Sequence, residues 1–195
     1  MAEPHVAKPP VAKPPVAWGR VARRSRVPLG FVFAIFYLWR AKPTWRVLVL
    51  GALIAAIGIV LRTLASGQVK KNQELTMTGP YAYVRNPLYL GSIIMAIGFA
   101  VAALDLWVAI AVLAMFALIY VPVIRGEETF LRKQFPAYDD YARRVPSLLP
   151  RTLLLRQIRD GFSRELYWQH REYNALLGAA AMSAALAAKI LWWHG

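Results

Sequence analysis

Cysteine is missing from all 195 residues, which excludes disulfides, thiolate-bound metal and a cysteine nucleophile. Histidine is nearly missing too: His5, His170 and His194 stand far apart and form no metal-ligand spacing. The sequence therefore holds no metal site. Acidic residues are scarce, 10 Asp and Glu against 24 Lys and Arg, for a formal net charge of +14. Charged residues of both signs make up only 17% of the chain, while 58% is hydrophobic, a balance unlike that of a soluble domain. There is no separate basic domain and no RNA-binding signature, so the positive excess suits a bilayer with anionic lipids better than nucleic acid.

What is present is apolar residues in long blocks, which argues for membrane spans before amphipathic surface helices. The expected fold is all-α: a polytopic membrane helix bundle of about five transmembrane helices. Val27 to Trp39 is short for a span and needs flanking residues or a thinned bilayer to cross. Trp45 to Leu64 is long enough, interrupted only by Arg62, and the two form a hairpin turning at Arg40-Ala41-Lys42-Pro43. Leu88 to Leu104 and Leu106 to Ile124 follow, with Asp105 at their tight turn. Tyr173 to Trp193 is alanine-rich, with Gly178 and Ser183 suited to close helix packing. Trp192 and Trp193 fit an interfacial anchor.

The ends and connections carry the charge. Residues 1–26 repeat Val-Ala-Lys-Pro-Pro twice and read as a disordered cytoplasmic tail of polyproline character. Prolines occupy the place of an apolar leader core, which argues against a signal peptide. With the N-terminus cytoplasmic, 20 of the 24 Lys and Arg fall on that side, leaving Arg40, Lys42, Arg46 and Lys189 opposite. The positive-inside rule is then satisfied, with the C-terminus on the far side. Residues 27–150 form the expected core and 173–195 the last span. Between them, residues 151–172 place Leu155, Ile158, Phe162 and Leu166 at helical spacing among arginines. That pattern fits a basic amphipathic helix on the membrane surface, or equally a cap helix packed on the protein.

Two polar clusters stand where cytoplasmic loops meet spans. Gly79-Pro80-Tyr81-Ala82-Tyr83-Val84-Arg85-Asn86-Pro87-Leu88-Tyr89-Leu90-Gly91 puts a favourable N-cap, Asn86, before a helix-starting proline. The helix start would direct free N–H groups at a docking anion, with tyrosines as an aromatic wall; a belt of interfacial tyrosines is the alternative. Glu127-Glu128 follows the fourth run. The pair is either solvated beside Arg125, Arg132 and Lys133 or turns one carboxylate inward onto a ligand, because bare carboxylates at a membrane boundary are costly.

With Tyr138-Asp139-Asp140-Tyr141-Ala142-Arg143-Arg144-Val145-Pro146 downstream, these motifs resemble the isoprenylcysteine carboxyl methyltransferase family and the related phospholipid N-methyltransferases. The likeness runs from about Gln68 to Pro150. It implies an S-adenosylmethionine-dependent methyltransferase whose cofactor pocket lies on the cytoplasmic side, outside any Rossmann domain. The absence of Gly-x-Gly after a strand agrees with that. Carried over by motif, cofactor contacts fall on Gln73, Glu74, Leu75, Thr76, Tyr81, Arg85, Asn86, Pro87, Leu88, Tyr89 and Glu127. Three positions depart from the pattern. Asn86 stands for a histidine, Val123 for a substrate-contacting arginine with Arg125 nearby, and Phe135-Pro136-Ala137-Tyr138 is one residue short.

The acceptor implied is a lipid or a prenylated small molecule. A carboxylate acceptor needs no base but gains from a cation, for which Arg125 or Arg144 is placed. An amine acceptor must lose a proton, and Glu128 is the first candidate base. Carboxyl O-methylation is the expectation; phospholipid N-methylation is the alternative, ahead of a sterol-reductase-like NADPH enzyme or a non-enzymatic scaffold.

Overall fold

The computed structural model describes residues 30–70, 74–150 and 161–194. Among them the regular structure is entirely helical. Helix α1 (Gly30–Arg40) leads by a short turn into α2 (Trp45–Ser66). A 3-10 turn (Gly79–Ala82) precedes α3 (Pro87–Ala103), and α4 (Leu106–Met115) continues through a π turn (Phe116–Tyr120) into α5 (Val121–Gln134). Three shorter or later helices follow, α6 (Tyr138–Arg144), α7 (Arg164–Gln169) and α8 (Tyr173–His194).

Among the described residues three segments are long and apolar enough to cross a membrane: Trp45–Ser66, Leu106–Gln134 and Tyr173–Trp193. The protein is an integral membrane protein. Helix α3, with 17 residues, reaches about 26 Å, and α1 spans about 16 Å, short of the ~30 Å hydrocarbon core. Large apolar side chains such as Trp39, Leu118 and Trp192 stay more than two-thirds exposed, as lipid-facing groups do. The π turn sits just before Pro122, which has no N–H to offer the carbonyl four residues back, so the helix widens there.

The tightest packing lies between α2 and α3. A Cβ on Gly51 would meet the Gly98 carbonyl at 2.4 Å, and one on Gly58 would meet the Gly91 carbonyl at 2.5 Å. Only glycine lets the backbones approach this closely. The expected role of Gly178 is not seen, since it is exposed with nothing within 4 Å of a Cβ. Helix α8 packs through Ala179, Leu186 and Ile190 instead.

Polar groups collect at the two ends. At one end Asp105 caps α4, accepting from the N–H groups of Trp107 (3.0 Å) and Val108 (3.1 Å), and pairs with Arg40 at 2.8 Å. Lys189 donates there to the carbonyls of Leu38 (2.5 Å) and Ala41 (2.7 Å), the free C-terminal carbonyls of α1. The apolar core of Tyr37, Leu48, Val108, Leu186 and Ile190 sits beside this end. The other end carries the motifs. Of the region expected to hold an amphipathic helix, residues 151–160 lie outside the described residues. Beyond them the chain turns at Gly161 (φ 82°), Phe162 packs on Gly67, and Ser163 caps α7.

Candidate active site

The motif-bearing end is held together by backbone and side chain alike. Gly79 takes φ 56°, with the Gln68 side chain against its Cα, so a side chain there has neither the conformation nor the space. The 3-10 turn that follows buries Tyr81. Next, the N–H groups of Arg85 and Asn86 donate to the carbonyls of Pro146 (2.9 Å) and Ser147 (3.1 Å). The segment after α6 is thereby laced to the entrance of α3. Tyr141 OH donates to the Tyr81 carbonyl at 2.6 Å, a second fastening between the same two stretches.

Asn86 does sit at the N-cap position before Pro87, but its side chain makes no cap. Its amide instead donates to Glu128 Oε1 at 2.8 Å and to Ser147 Oγ at 3.0 Å. Ser147 Oγ donates to the same carboxylate oxygen at 2.8 Å, and Arg85 Nη2 stands 3.3 Å from both carboxylate oxygens. Of the two adjacent glutamates, Glu128 turns inward and Glu127 stays exposed, because neighbours on a helix point about 100° apart.

Tyr81 lies at a crossing of elements. Burial first, then Tyr141 and the charges of Glu127 and Glu172, hold its hydroxyl well above the ordinary tyrosine range. Tyr89, on the first turn of α3, meets Tyr120 edge-on at 5.8 Å, and Tyr120 stacks on Phe116. Tyr138 is buried under the guanidinium groups of Arg85 and Arg132, 5.9 and 5.7 Å from its ring. A shallow depression of about 230 Å³ opens between Met77, Ala82, Tyr141, Arg144 and Val145.

Of the cofactor contacts expected from sequence, Arg85 and Asn86 in the Tyr81–Tyr89 stretch come together on Glu128, the residue expected as a base, while Glu127, the expected cofactor contact, stays exposed. Gln73 lies outside the described residues. Glu74 is exposed and pairs with Lys70 at 3.0 Å. Leu75 is half-buried, and Thr76 Oγ1 is buried with no hydrogen-bond partner. Pro87 is buried and Leu88 half-buried at the helix start. Arg125 and Val123 face outward on α5, whereas Arg144 lines the depression. Sequence reasoning missed Ser147, Tyr120 and Glu172. Only Glu172 left a signal, as a lone acid at the foot of an apolar run.

Residues 45–138 match the family model described as Phospholipid methyltransferase. Over just under half of its length the chain is similar to the phospholipid methyltransferase family. The matched segment contains the glycine seam, the Tyr81–Tyr89 loop and both glutamates, and it ends at Tyr138. Two curated relatives are similar to this chain. The nickel-cobalt-cadmium resistance protein NccN of Alcaligenes xylosoxydans xylosoxydans is 37% identical over 119 residues, 60% of this chain and 55% of that protein. The cobalt-zinc-cadmium resistance protein CzcN of Cupriavidus metallidurans is 36% identical over 138 residues, 67% of this chain and 64% of that protein. This chain thus spans a little over half to under two-thirds of those relatives' lengths. No solved structure matches it.

Proposed function

We propose that the chain is an S-adenosylmethionine-dependent membrane methyltransferase acting on a lipid-like or prenylated acceptor, by carboxyl O-methylation. The observation that carries the choice of acceptor is the occupation of Glu128. Its carboxylate takes Asn86, Ser147 and Arg85 and is a latch rather than a base. A carboxylate acceptor arrives ionised and needs no base, so it fits a site whose inward glutamate is already committed.

The residues suit a polar, cationic cofactor. Arg85 Nε and Thr76 Oγ1 are buried without protein partners, and buried polar groups of this kind call for a ligand or water. Those two groups, with the ring of Tyr81 and the exposed carboxylate of Glu127, would hold the cofactor. When bound, S-adenosylmethionine supplies a methyl group already activated on sulfonium. The chain contributes alignment and exclusion of water, together worth about 7–11 kcal/mol of barrier when geometry is good. Arg144, on the wall of the depression, is placed to hold the acceptor carboxylate, with Arg125 further out on α5. The distribution of Lys and Arg supports a cytoplasmic site and N-terminus, with the C-terminus opposite.

Phospholipid N-methylation is the second reading, favoured by the family's description and by Glu127, a carboxylate left exposed beside Tyr81. The relatives' names suggest a setting in resistance to nickel, cobalt, zinc or cadmium. We place any such role with the methylated product. Methyl-labelled cofactor incubated with the purified protein and membrane extract tests the reading. The expected product is a base-labile methyl ester; a labelled headgroup amine would establish the second reading instead. Calorimetric titration with S-adenosylhomocysteine and with NADPH separates a methyltransferase from a reductase.

A further inference from the structure

Arg62 and Glu172 lie 110 residues apart and outside every motif of the site. Arg62, near the end of α2, grips Glu172 at the foot of α8 with Nε at 3.1 Å and Nη2 at 3.0 and 2.7 Å from the carboxylate oxygens. The same guanidinium sends Nη1 to the Leu88 carbonyl at 3.2 Å and to Ser92 Oγ. One planar fork thus ties α8 to the first turn of α3, the turn that carries Tyr89. Both side chains are largely covered, 22% and 13% exposed. An uncovered charge at this depth is costly, so each holds the other in place. A lysine has no such fork and cannot serve both partners in one geometry. Arg171, just before Glu172, takes φ 53°, so the chain bends sharply where α8 is delivered to this contact.

We propose that the Arg62–Glu172 pair is a positioning device for the cofactor site, with α8 orienting the Arg62 guanidinium and Arg62 fixing the Leu88–Ser92 turn beside Tyr81. Glu172 lies beyond the segment that carries the family match, so α8 is a working part of this site and more than an anchor. Only the cofactor arm of the test rests on the methyltransferase reading.

The test uses the full chain in detergent, with Glu172→Gln and with the exchanged pair Arg62→Glu plus Glu172→Arg. The exchanged pair rebuilds the bridge between α2 and α8, but a glutamate at 62 cannot donate to the Leu88 carbonyl. Amide hydrogen exchange at Leu90 to Ser92 is expected to quicken about tenfold in both variants. Affinity for S-adenosylhomocysteine is expected to fall about tenfold or more in both, since small misplacements are amplified at such sites. The exchanged pair recovers the melting temperature while Glu172→Gln does not. The inference is overturned if Glu172→Gln leaves exchange at Leu90 to Ser92 unchanged. It is equally overturned if the exchanged pair restores exchange and affinity along with melting temperature, which marks a plain structural bridge. Should the native chain bind no S-adenosylhomocysteine, the methyltransferase reading fails, and the exchange arm alone decides the positioning claim.

Discussion

The side-chain amide of Asn86 meets the Glu128 carboxylate at 2.8 Å, joining the start of α3 to the middle of α5. Both residues are spoken for by that contact. Asn86 gives up capping its own helix, and the Glu128 carboxylate takes donors from Asn86, Ser147 and Arg85. Ser147 Oγ completes a triangle with them, so three chain segments close on one carboxylate oxygen.

Removing the carboxylate is therefore expected to cost more than altering the amide. Glu128→Ala strands the Ser147 hydroxyl, worth about 1–3 kcal/mol when left unsatisfied, and leaves Asn86 and Arg85 only their bonds to Ser147 and Ala142. Asn86→His keeps a donor and is expected to melt near the native temperature. Asn86→Asp sets carboxylate against carboxylate and is expected to fall with Glu128→Ala. Circular-dichroism melting in detergent ranks the three; a native-like Glu128→Ala would show that the latch holds nothing.

The two-helix seam gives a paired prediction on glycine. A Cβ at Gly98 would lie 2.5 Å from the Gly51 carbonyl and 2.7 Å from Ala55 N. Gly98→Ala must push α2 away, an overpacking cost of about 1–3 kcal/mol. Gly178→Ala meets nothing within 4 Å and is expected to gain up to ~1 kcal/mol of helix propensity. Melting curves of the two variants should move in opposite directions.

What could be read from the sequence was mostly periodicity and punctuation. The apolar runs place α2, α4–α5 and α8, while Asp105 and Pro87 mark where helices begin, because capping and proline act locally. The clustering of the three motifs was legible through their family likeness. Partner choice was not legible. Nothing local distinguishes Glu127 from Glu128, since a rotation of α5 by one residue would exchange their roles. Arg62 looks like an isolated charge in an apolar run and Glu172 like a neighbour of Arg171 at the edge of another, and only tertiary packing pairs them. Gly178 suggested a seam by composition, but seams need glycines facing each other, as on α2 and α3.

Lys189 offers a test of the far end. Its ammonium satisfies the Leu38, Trp39 and Ala41 carbonyls at the end of α1, a helix too short to hold itself across the bilayer. Lys189→Met removes these bonds and is expected to quicken amide exchange at Ala41 and Lys42. Exchange at Leu90 should not change, because that turn belongs to the other end. Equal protection in native and variant protein would mean that apolar packing alone seats α1.

Alkaline stability is set by the tyrosines behind the latch. Burial, reinforced by the Glu128 charge and opposed by Arg85 and Arg132, pushes the Tyr138 hydroxyl up to about 12. Burial likewise raises Tyr141 and Tyr81. In the unfolded chain these groups titrate near pH ~10. The folded protein therefore keeps protons that the unfolded chain loses, and stability falls as pH rises from about 10 toward 12, by up to ~1.4 kcal/mol per pH unit for each tyrosine. Melting temperature measured across that range should drop steeply, with tyrosinate absorbance from this cluster appearing only on unfolding. Tyr138 OH is buried with no partner, so Tyr138→Phe is expected to be at least as stable at neutral pH and to flatten the alkaline fall. Tyr141→Phe loses the 2.6 Å bond to the Tyr81 carbonyl and should be less stable at every pH. If the two variants behave alike, the Tyr141–Tyr81 bond does not hold the motif segments together.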